Sequence, residues 1–289
     1  MTAYRHRFGL AHDPIPRDAS GKTCFIDTED FNRISRVFHW LTAEPGLGVL
    51  TGEAGLGKTT IMRHLCDQLS APEHRVLYLC DTAITPASVY RNLAAELGLV
   101  PKYRRDALWR QLKAEIRKLV DVHSVVPILV LDEAQHLSDD FLHDLAGFLN
   151  YAFDRQDLLT VWLVGLPSLR TRLDLAIHSA LRSRVVSPNR LRPRTREELF
   201  AMIRHGLRIA GATEKIVAEP ALEVFYRVSR GVPRTTSHLL RTSLMLAHDR
   251  DQSFIDETTA LDACDELELT RPRQDLDQPA RMPSRKPRK

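Results

Sequence analysis

Through the first two thirds of the chain, short apolar runs alternate with segments whose apolar residues recur every three or four positions. That order builds a parallel sheet covered by helices. Strands are expected at Leu47 to Thr51, Val76 to Cys80, Pro127 to Leu131 and Thr160 to Val164, with a weaker fifth near Arg184 to Ser187. Helices are expected over Thr59 to Gln68, Pro86 to Gly98, Ala107 to Val120, Asp139 to Asp154 and Leu169 to His178. Thr85 and Pro86 supply an N-cap followed by proline at the first helical position. The fold class these elements predict is α/β, a three-layer sandwich around a parallel sheet.

After Pro193 the β-branched runs stop and every periodic segment repeats at helical spacing. Thr195 and Glu198 form a capping box opening a helix that reaches about Ala210 and stops at Gly211. Further helices are expected at about Glu219 to Ser229, Arg234 to His248 and Asp256 to Leu267. The division that follows is an N-terminal segment over 1–20, an α/β core over 21–192, a small all-helical lid over 193–268 and a tail over 269–289. No internal repeat is visible.

A chain of 289 residues that is 43% apolar and 27% charged excludes collagen-like, wholly disordered and disulfide-scaffold classes. The net charge of +4 hides an asymmetry. Residues 269–289 hold seven basic and two acidic side chains with four prolines, so a disordered basic tail is expected on a nearly neutral body. With no apolar run of about 18 residues and no secretory signal in MTAYRHRFGLAHDP, a cytoplasmic location without a membrane partner is expected. Cys24, Cys66, Cys80 and Cys264 lie far apart, without zinc spacing, and are expected to be reduced and mostly buried.

The chemistry is carried by Gly52-Glu53-Ala54-Gly55-Leu56-Gly57-Lys58-Thr59, a full GxxxxGK[ST] directly after an expected strand and before an expected helix. Glycines let successive backbone amides converge on phosphate oxygens, and the following helix adds the positive end of its dipole. Lys58 is expected at the β and γ phosphates, the Thr59 hydroxyl on magnesium, and Thr60 beside it in the nucleotide site. Gly21-Lys22-Thr23 lacks the upstream glycine and is set aside.

The partner of such a loop is an acid at the end of a neighbouring strand. Asp132, at the end of Val126-Pro127-Ile128-Leu129-Val130-Leu131, is expected to hold the magnesium, and Glu133 to orient and deprotonate the attacking water. Phosphoryl transfer also needs positive charge at the γ phosphate beyond Lys58. Arg234, after Gly231-Val232-Pro233 at the head of a lid helix, can reach across the domain junction. Arg182 and Arg184, before the last strand, sit remote from their own phosphate loop, and Arg184 in particular suits a finger inserted into a neighbouring subunit.

Together these stretches resemble AAA+ ATPases, in which a phosphate loop and acid pair are followed by a Ser-Arg box and a GxPR motif in a helical lid. More narrowly the chain is similar to the ExeA/TniB/TnsC group. Phe8-Gly9-Leu10 with Asp13-Pro14, Leu50-Thr51-Gly52-Glu53, Asp132-Glu133-Ala134-Gln135, Leu163-Val164-Gly165, Ile203-Arg204-His205-Gly206-Leu207 and Gly231-Val232-Pro233-Arg234 carry the likeness, over about residues 5 to 267. The resemblance implies ATP and Mg2+ as cofactors, hydrolysis of ATP to ADP and phosphate, and assembly into a ring or helical filament. A stand-alone ATPase with a basic tail fits the transposition branch, whose members polymerise on duplex DNA and recruit or stimulate a transposase with target-selection proteins. One departure is that the usual polar sensor after the fourth strand is replaced by Leu166 and Pro167, with Ser168 the first polar side chain. Hydrolysis is therefore expected to be slow or partner-stimulated.

Lys102 to Lys118 holds seven basic and two acidic residues, while Leu108, Leu112, Ile116 and Leu119 form a buried stripe that leaves the cations on the other side. Lys102, Arg104 and Arg105 are expected on the DNA backbone with little sequence preference. Tyr103 and Trp109 are read as packing residues ahead of base stacking. Three rivals stay open: an ExeA-like ATPase of secretion or envelope machinery, a non-hydrolysing nucleotide-gated scaffold, and a helicase or replication loader.

Overall fold

The computed structural model describes residues 3–16, 28–80, 85–151, 157–212 and 215–271. Helices α1 (Ala3–Arg7) and α2 (Glu29–Ala43) lead into β1 (Leu47–Thr51), α3 (Lys58–Asp67), β2 (His74–Leu79), α4 (Pro86–Glu96) and α5 (Arg105–Asp121). Next come β3 (Val126–Leu131), α6 (Asp139–Phe148), β4 (Thr160–Gly165), α7 (Pro167–Leu173), α8 (Ser179–Arg182) and β5 (Val185–Arg190). Helices α9 (Arg196–Ile209), α10 (Glu219–Ser229), α11 (Pro233–Asp249) and α12 (Glu257–Glu266) complete the described chain.

The five strands form one parallel sheet in the order β2-β3-β4-β1-β5. The central strands are covered on both faces, which is why they read as nearly unbroken apolar runs. Alternate residues still divide between two cores. Leu129, Leu131, Val161 and Leu163 pack with α4, α5 and α6 through Tyr90, Leu108, Leu112 and Phe141. Ile128, Val130, Trp162 and Val164 face the other way, onto Phe31, Ile34 and Phe38 of α2 and Ile61 and Leu65 of α3. Helix α2 is absent from the elements expected above, although its stripe of Phe31, Ile34, Phe38 and Leu41 is fully buried or nearly so. Thr28 caps it by accepting the Phe31 amide at 3.2 Å.

Three expected elements differ in extent. Helix α6 stops at Phe148, and Lys113 of α5 donates to the carbonyls of Gly147 and Asn150 at its end, at 3.1 and 2.7 Å. Of the expected continuation, residues 152–156 lie outside the described residues. The segment expected as one helix from Leu169 to His178 is broken after Leu173, which turns His178 inward to meet Asp139 at 3.0 Å before α8 begins. Strand β5 runs on to Arg190 through Pro188; it lies on the sheet edge, where proline costs no ladder bond to a further strand.

The capping box of α9 is present in both directions, Glu198 amide to Thr195 Oγ1 at 3.3 Å and Thr195 amide to Glu198 at 3.0 Å. Helices α9 to α12 enclose a third core, and the N-terminal segment belongs to it: Tyr4, Phe8 and Leu10 pack with Leu199, Phe225, Leu240 and Leu244. Asp13 anchors the segment, accepting from Tyr4 and pairing with Arg5 and with Arg241 of α11, each at 2.8 Å. Close approach also demands Gly206 in α9, where a Cβ would stand 2.1 Å from the Pro14 carbonyl oxygen. Cys264 is buried and Cys66 half-buried as expected, but Cys80 is exposed at the end of β2. Cys24, Gly21-Lys22-Thr23 and all of the basic tail after Arg271 lie outside the described residues.

Candidate functional site

Strand β1 delivers the chain to Gly52, and helix α3 starts at Lys58, so residues 52–57 make the turn between them. The turn is pinned to its neighbours. The Gly52 amide donates to the Gly165 carbonyl of β4 at 3.2 Å, and the Leu191 amide donates to the Thr51 carbonyl at 2.7 Å. Gly57 caps α3 with φ at 95°, a left-handed conformation that a side chain would oppose, and it offers no side-chain acceptor to the first amides of the helix. Those amides and the helix dipole form an anion-binding end.

Lys58 is only 7% exposed and folds back over the turn, donating from Nζ to the carbonyls of Gly52 and Glu53 at 2.9 and 3.1 Å. Burial pushes its ammonium below the ordinary lysine value, while the charges of Glu133 and Asp132 pull it back up. The adjacent Thr59 hydroxyl donates to Asp132 Oδ2 at 2.6 Å, and the Tyr78 hydroxyl of β2 donates to the same oxygen at 3.0 Å. Asp132 is buried and its Oδ1 accepts the Glu133 amide at 2.9 Å. Two hard oxygen donors in contact beside a phosphate loop fit a magnesium ion that draws its remaining ligands from phosphates and water. Among the described residues no group of three or more His, Cys, Asp or Glu side chains could hold a metal ion.

Glu133 is exposed, with left-handed backbone at φ 51°, at the start of a turn spanning Ala134–His136. Its carboxylate accepts from Gln135 Nε2 at 2.6 Å, and Gln135 Oε1 accepts the Leu166 amide at 3.0 Å. Gln135 is a polar contact that the sequence reading passes over. Ser168, the side chain expected nearest that place, points outward from α7 as an exposed residue. The available signal was the glycine at 165, which leaves room for another side chain.

A cavity of about 590 Å³ opens between the phosphate loop and the lid, within the size range of small-molecule sites. Gly55, Leu56, Gly57, Thr59 and Thr60 line one wall, Pro14, Ile15 and Pro16 of the N-terminal segment another, and Arg194, Pro233, Arg234, His238 and Arg241 the lid side. Ala54 belongs to the same turn. The lid touches the loop directly: the Arg234 amide donates to the Gly55 carbonyl at 3.2 Å. Thus Lys58, Thr59, Asp132, Glu133 and Arg234 are brought together.

Arg184 is not brought there. It precedes β5, whose Val185 pairs with Leu47 at the start of β1, the opposite end from the phosphate loop. Its side chain is 20% exposed and lies 3.8 Å from Asp157, whereas Arg182 is 53% exposed, 3.9 Å from Asp174. The basic face of α5 is also less free than its composition predicts. Arg104 and Arg110 pair with Asp106 at 3.1 and 2.9 Å, and Arg105 pairs with Asp144 of α6. Lys113 leaves the face for the Tyr151 ring, 4.6 Å away. Trp109 packs edge-on against Tyr90 and Phe148, as read, while Tyr103 is 90% exposed beside the exposed Lys102.

Comparison with known proteins agrees with this geometry. Residues 42–173 match the family model described as an AAA domain. The chain is 28% identical over 250 residues to general secretion pathway protein A of Aeromonas hydrophila, covering 86% of this chain and 45% of that protein. It therefore spans under half the length of that relative. Among solved structures, Cdc6p from Pyrobaculum aerophilum superposes with a TM-score of 0.65 at 18% identity, over 91% of this chain and 70% of that one. The Aeropyrum pernix ORC1 protein, solved in complex with DNA, gives a TM-score of 0.65 at 18% identity over 91% and 69%. Among the described residues no helix is long and apolar enough to cross a membrane. Residues 42–173 are thus similar to an AAA domain, and the chain has the three-layer P-loop fold of these solved structures.

Proposed function

We propose that the chain binds ATP with Mg2+ between its phosphate loop and lid and hydrolyses it to ADP and phosphate. The observation that carries this is the contact of Thr59 with Asp132 at 2.6 Å, directly beside Lys58 and Glu133. Lys58 holds the β and γ phosphates, Thr59 and Asp132 hold magnesium, and the amides of residues 52–60 cradle the phosphates. When bound, the magnesium ion offsets charge on the phosphate oxygens. Glu133 takes a proton from water as the water oxygen bonds to the γ phosphorus and the bond to the β–γ bridging oxygen breaks. Arg234 supplies lid charge in the same subunit and Arg184 supplies it to a neighbour. The division at residues 20, 192 and 268 goes with this reading: the core carries the chemistry and the lid senses it.

We further propose that ATP-bound copies assemble as a ring or filament on duplex DNA in the cytoplasm, as a regulator that recruits or stimulates a transposase. Support comes from the basic tail, from Lys102, Arg104 and Arg105 on one exposed edge, and from a fold shared with a protein solved on DNA. The Arg104–Asp106 pair on that edge is exposed on both sides, so a phosphate can replace that carboxylate at little cost. A second reading, an ATPase of secretion machinery that binds protein, is favoured by the similarity to general secretion pathway protein A.

Gel shift and phosphate release on the purified chain, with and without ATP and duplex DNA, separate the readings. ATP-dependent, salt-sensitive shifts that are lost on charge reversal of Lys102, Arg104 and Arg105 are expected. Hydrolysis without any DNA binding favours the secretion reading, and ATP binding without hydrolysis leaves a nucleotide-gated scaffold.

A further inference from the structure

The Gln135 side chain joins two segments at the head of the sheet, its own turn after β3 and the junction of β4 with α7. Its Nε2 donates to Glu133 Oε2 at 2.6 Å, and its Oε1 accepts from the Leu166 amide at 3.0 Å. A carboxylate can only accept and a peptide N–H can only donate, so the side-chain amide satisfies both in one orientation alone. Its backbone is held as well, because Arg172 of α7 donates from Nη1 to the carbonyls of Gln135 and Leu137, both at 2.8 Å.

Gly165 makes the arrangement possible. A Cβ at this last residue of β4 would stand 2.5 Å from Gln135 Oε1, closer than real contacts allow. The Gly165 carbonyl in turn accepts the Gly52 amide of the phosphate loop at 3.2 Å. The peptide group joining Gly165 and Leu166 therefore holds the phosphate loop by its oxygen and Gln135 by its nitrogen. One peptide unit and one side chain thus connect the phosphate loop to the Glu133 carboxylate.

We propose that Gln135 is the positioning residue for Glu133, and that it takes over from the turn after β3 the role left open where Leu166 and Pro167 follow β4. The proposal rests on the reading of Glu133 as the base for hydrolysis. The Glu133 carboxylate stands at the end of three rotatable bonds, and the hydrogen bond from Gln135 at 2.6 Å sets the direction in which its oxygens face. Misplacement of a reacting group by about 1 Å costs up to about 100-fold in rate.

The test uses the full chain and two substitutions that break the same contact from opposite sides. Gln135→Met keeps length and removes both hydrogen bonds; Gly165→Ala leaves Gln135 in place but drives its amide off. For each, kcat and KM for phosphate release, affinity for ATP with magnesium, and Tm are measured. Each variant is expected to lower kcat about 10-fold or more, with ATP affinity and KM within about twofold of the parent. In a Gln135→Ala background, where the closest clash is gone and the Gln135 backbone nitrogen at 3.2 Å and Leu169 at 3.3 Å remain, Gly165→Ala should lower kcat by less than it does in the parent. Unchanged kcat in Gln135→Met overturns the proposal, and so does a loss of kcat that only follows loss of ATP affinity or folding. An inactive parent chain that still binds ATP overturns the hydrolytic reading and this one with it; an active parent with an indifferent Gln135→Met overturns this one alone.

Discussion

Thr59 and Asp132 are in direct contact, the hydroxyl donating to the carboxylate at 2.6 Å, although 73 positions separate them in sequence. Helix α3 and strand β3 thereby present adjacent oxygen donors at the cavity wall that Thr59 lines. Removing either donor should act on magnesium and spare the phosphate loop. Thr59→Ala and Asp132→Asn are expected to weaken ATP binding about 10-fold or more in the presence of magnesium and to change it little in EDTA. Calorimetric titration in both buffers checks this; equal losses in the two would remove the pair from metal binding.

Glu133→Gln should separate binding from turnover. The substituted amide can still accept from Gln135, so the local geometry is kept while the base is lost. Phosphate release is expected to fall about 100-fold or more, with ATP affinity retained and complexes on duplex DNA lasting longer. Parallel measurement of nucleotide binding and single-turnover hydrolysis decides it, and normal turnover would take Glu133 out of its role.

Much of this site is legible from sequence because its signals are local. A glycine-rich turn, a lysine and a threonine are contiguous, and Asp132 with Glu133 ends an apolar run that only a buried central strand explains. What is missed depends on contacts between distant segments. Gln135 matters only because Gly165 and Leu166 stand across from it, and the pairing of Arg105 with Asp144 joins α5 to α6. Helix α2 is a different case. Its stripe of Phe31, Ile34, Phe38 and Leu41 has ordinary helical spacing, but the segment comes before the first strand, outside the alternation of apolar runs and helical patterns. The expected fifth strand likewise stops at Ser187, before Pro188, and its position on the sheet edge lets it run on to Arg190.

Arg184 can be tested for a role in a neighbouring subunit by complementation. It stands at the far end of the sheet from its own phosphate loop and keeps its pairing with Asp157. Arg184→Ala and Lys58→Ala should each be inactive alone. When mixed, the Lys58→Ala subunit still offers Arg184 to the intact phosphate loop of an Arg184→Ala neighbour. Phosphate release is expected to return to a measurable fraction of the parent rate on mixing. No recovery across mixing ratios, with assembly intact, would exclude a finger in trans at this position, and the same pair of mixtures with Arg182→Ala tests the more exposed arginine.

Gly206→Ala offers a prediction whose sign distinguishes packing from helix propensity. In the interior of a free helix the change would stabilise by about 1 kcal/mol. Here the new Cβ would lie 2.1 Å from the Pro14 carbonyl oxygen, which is backbone and cannot swing aside. A net destabilisation of about 1–3 kcal/mol is expected from overpacking. Because Pro14, Ile15 and Pro16 line the cavity, ATP affinity should fall with it. Thermal unfolding and nucleotide titration report the two effects, and a raised Tm would show that the N-terminal segment does not hold this position.

The same segment gives the chain a predictable response to acid. Burial disfavours the Asp13 carboxylate, but the hydrogen bonds from Tyr4 and Arg5 and the charges of Arg241 and Arg5 outweigh it and hold the group below the ordinary aspartate value. A group lowered on folding contributes stability that is complete above its unfolded value, near about 3.9, and is lost as pH falls through the lower folded value. Asp13→Asn removes the charge and keeps the shape. It is expected to cost about 1–3 kcal/mol between pH 5 and 7. The gap in Tm between the parent and Asp13→Asn should stay constant over that range and close as pH drops below about 4. A gap that persists unchanged into strong acid would mean that the Asp13 charge does not tie the N-terminal segment to α11, and that the shape of the side chain alone accounts for the anchor.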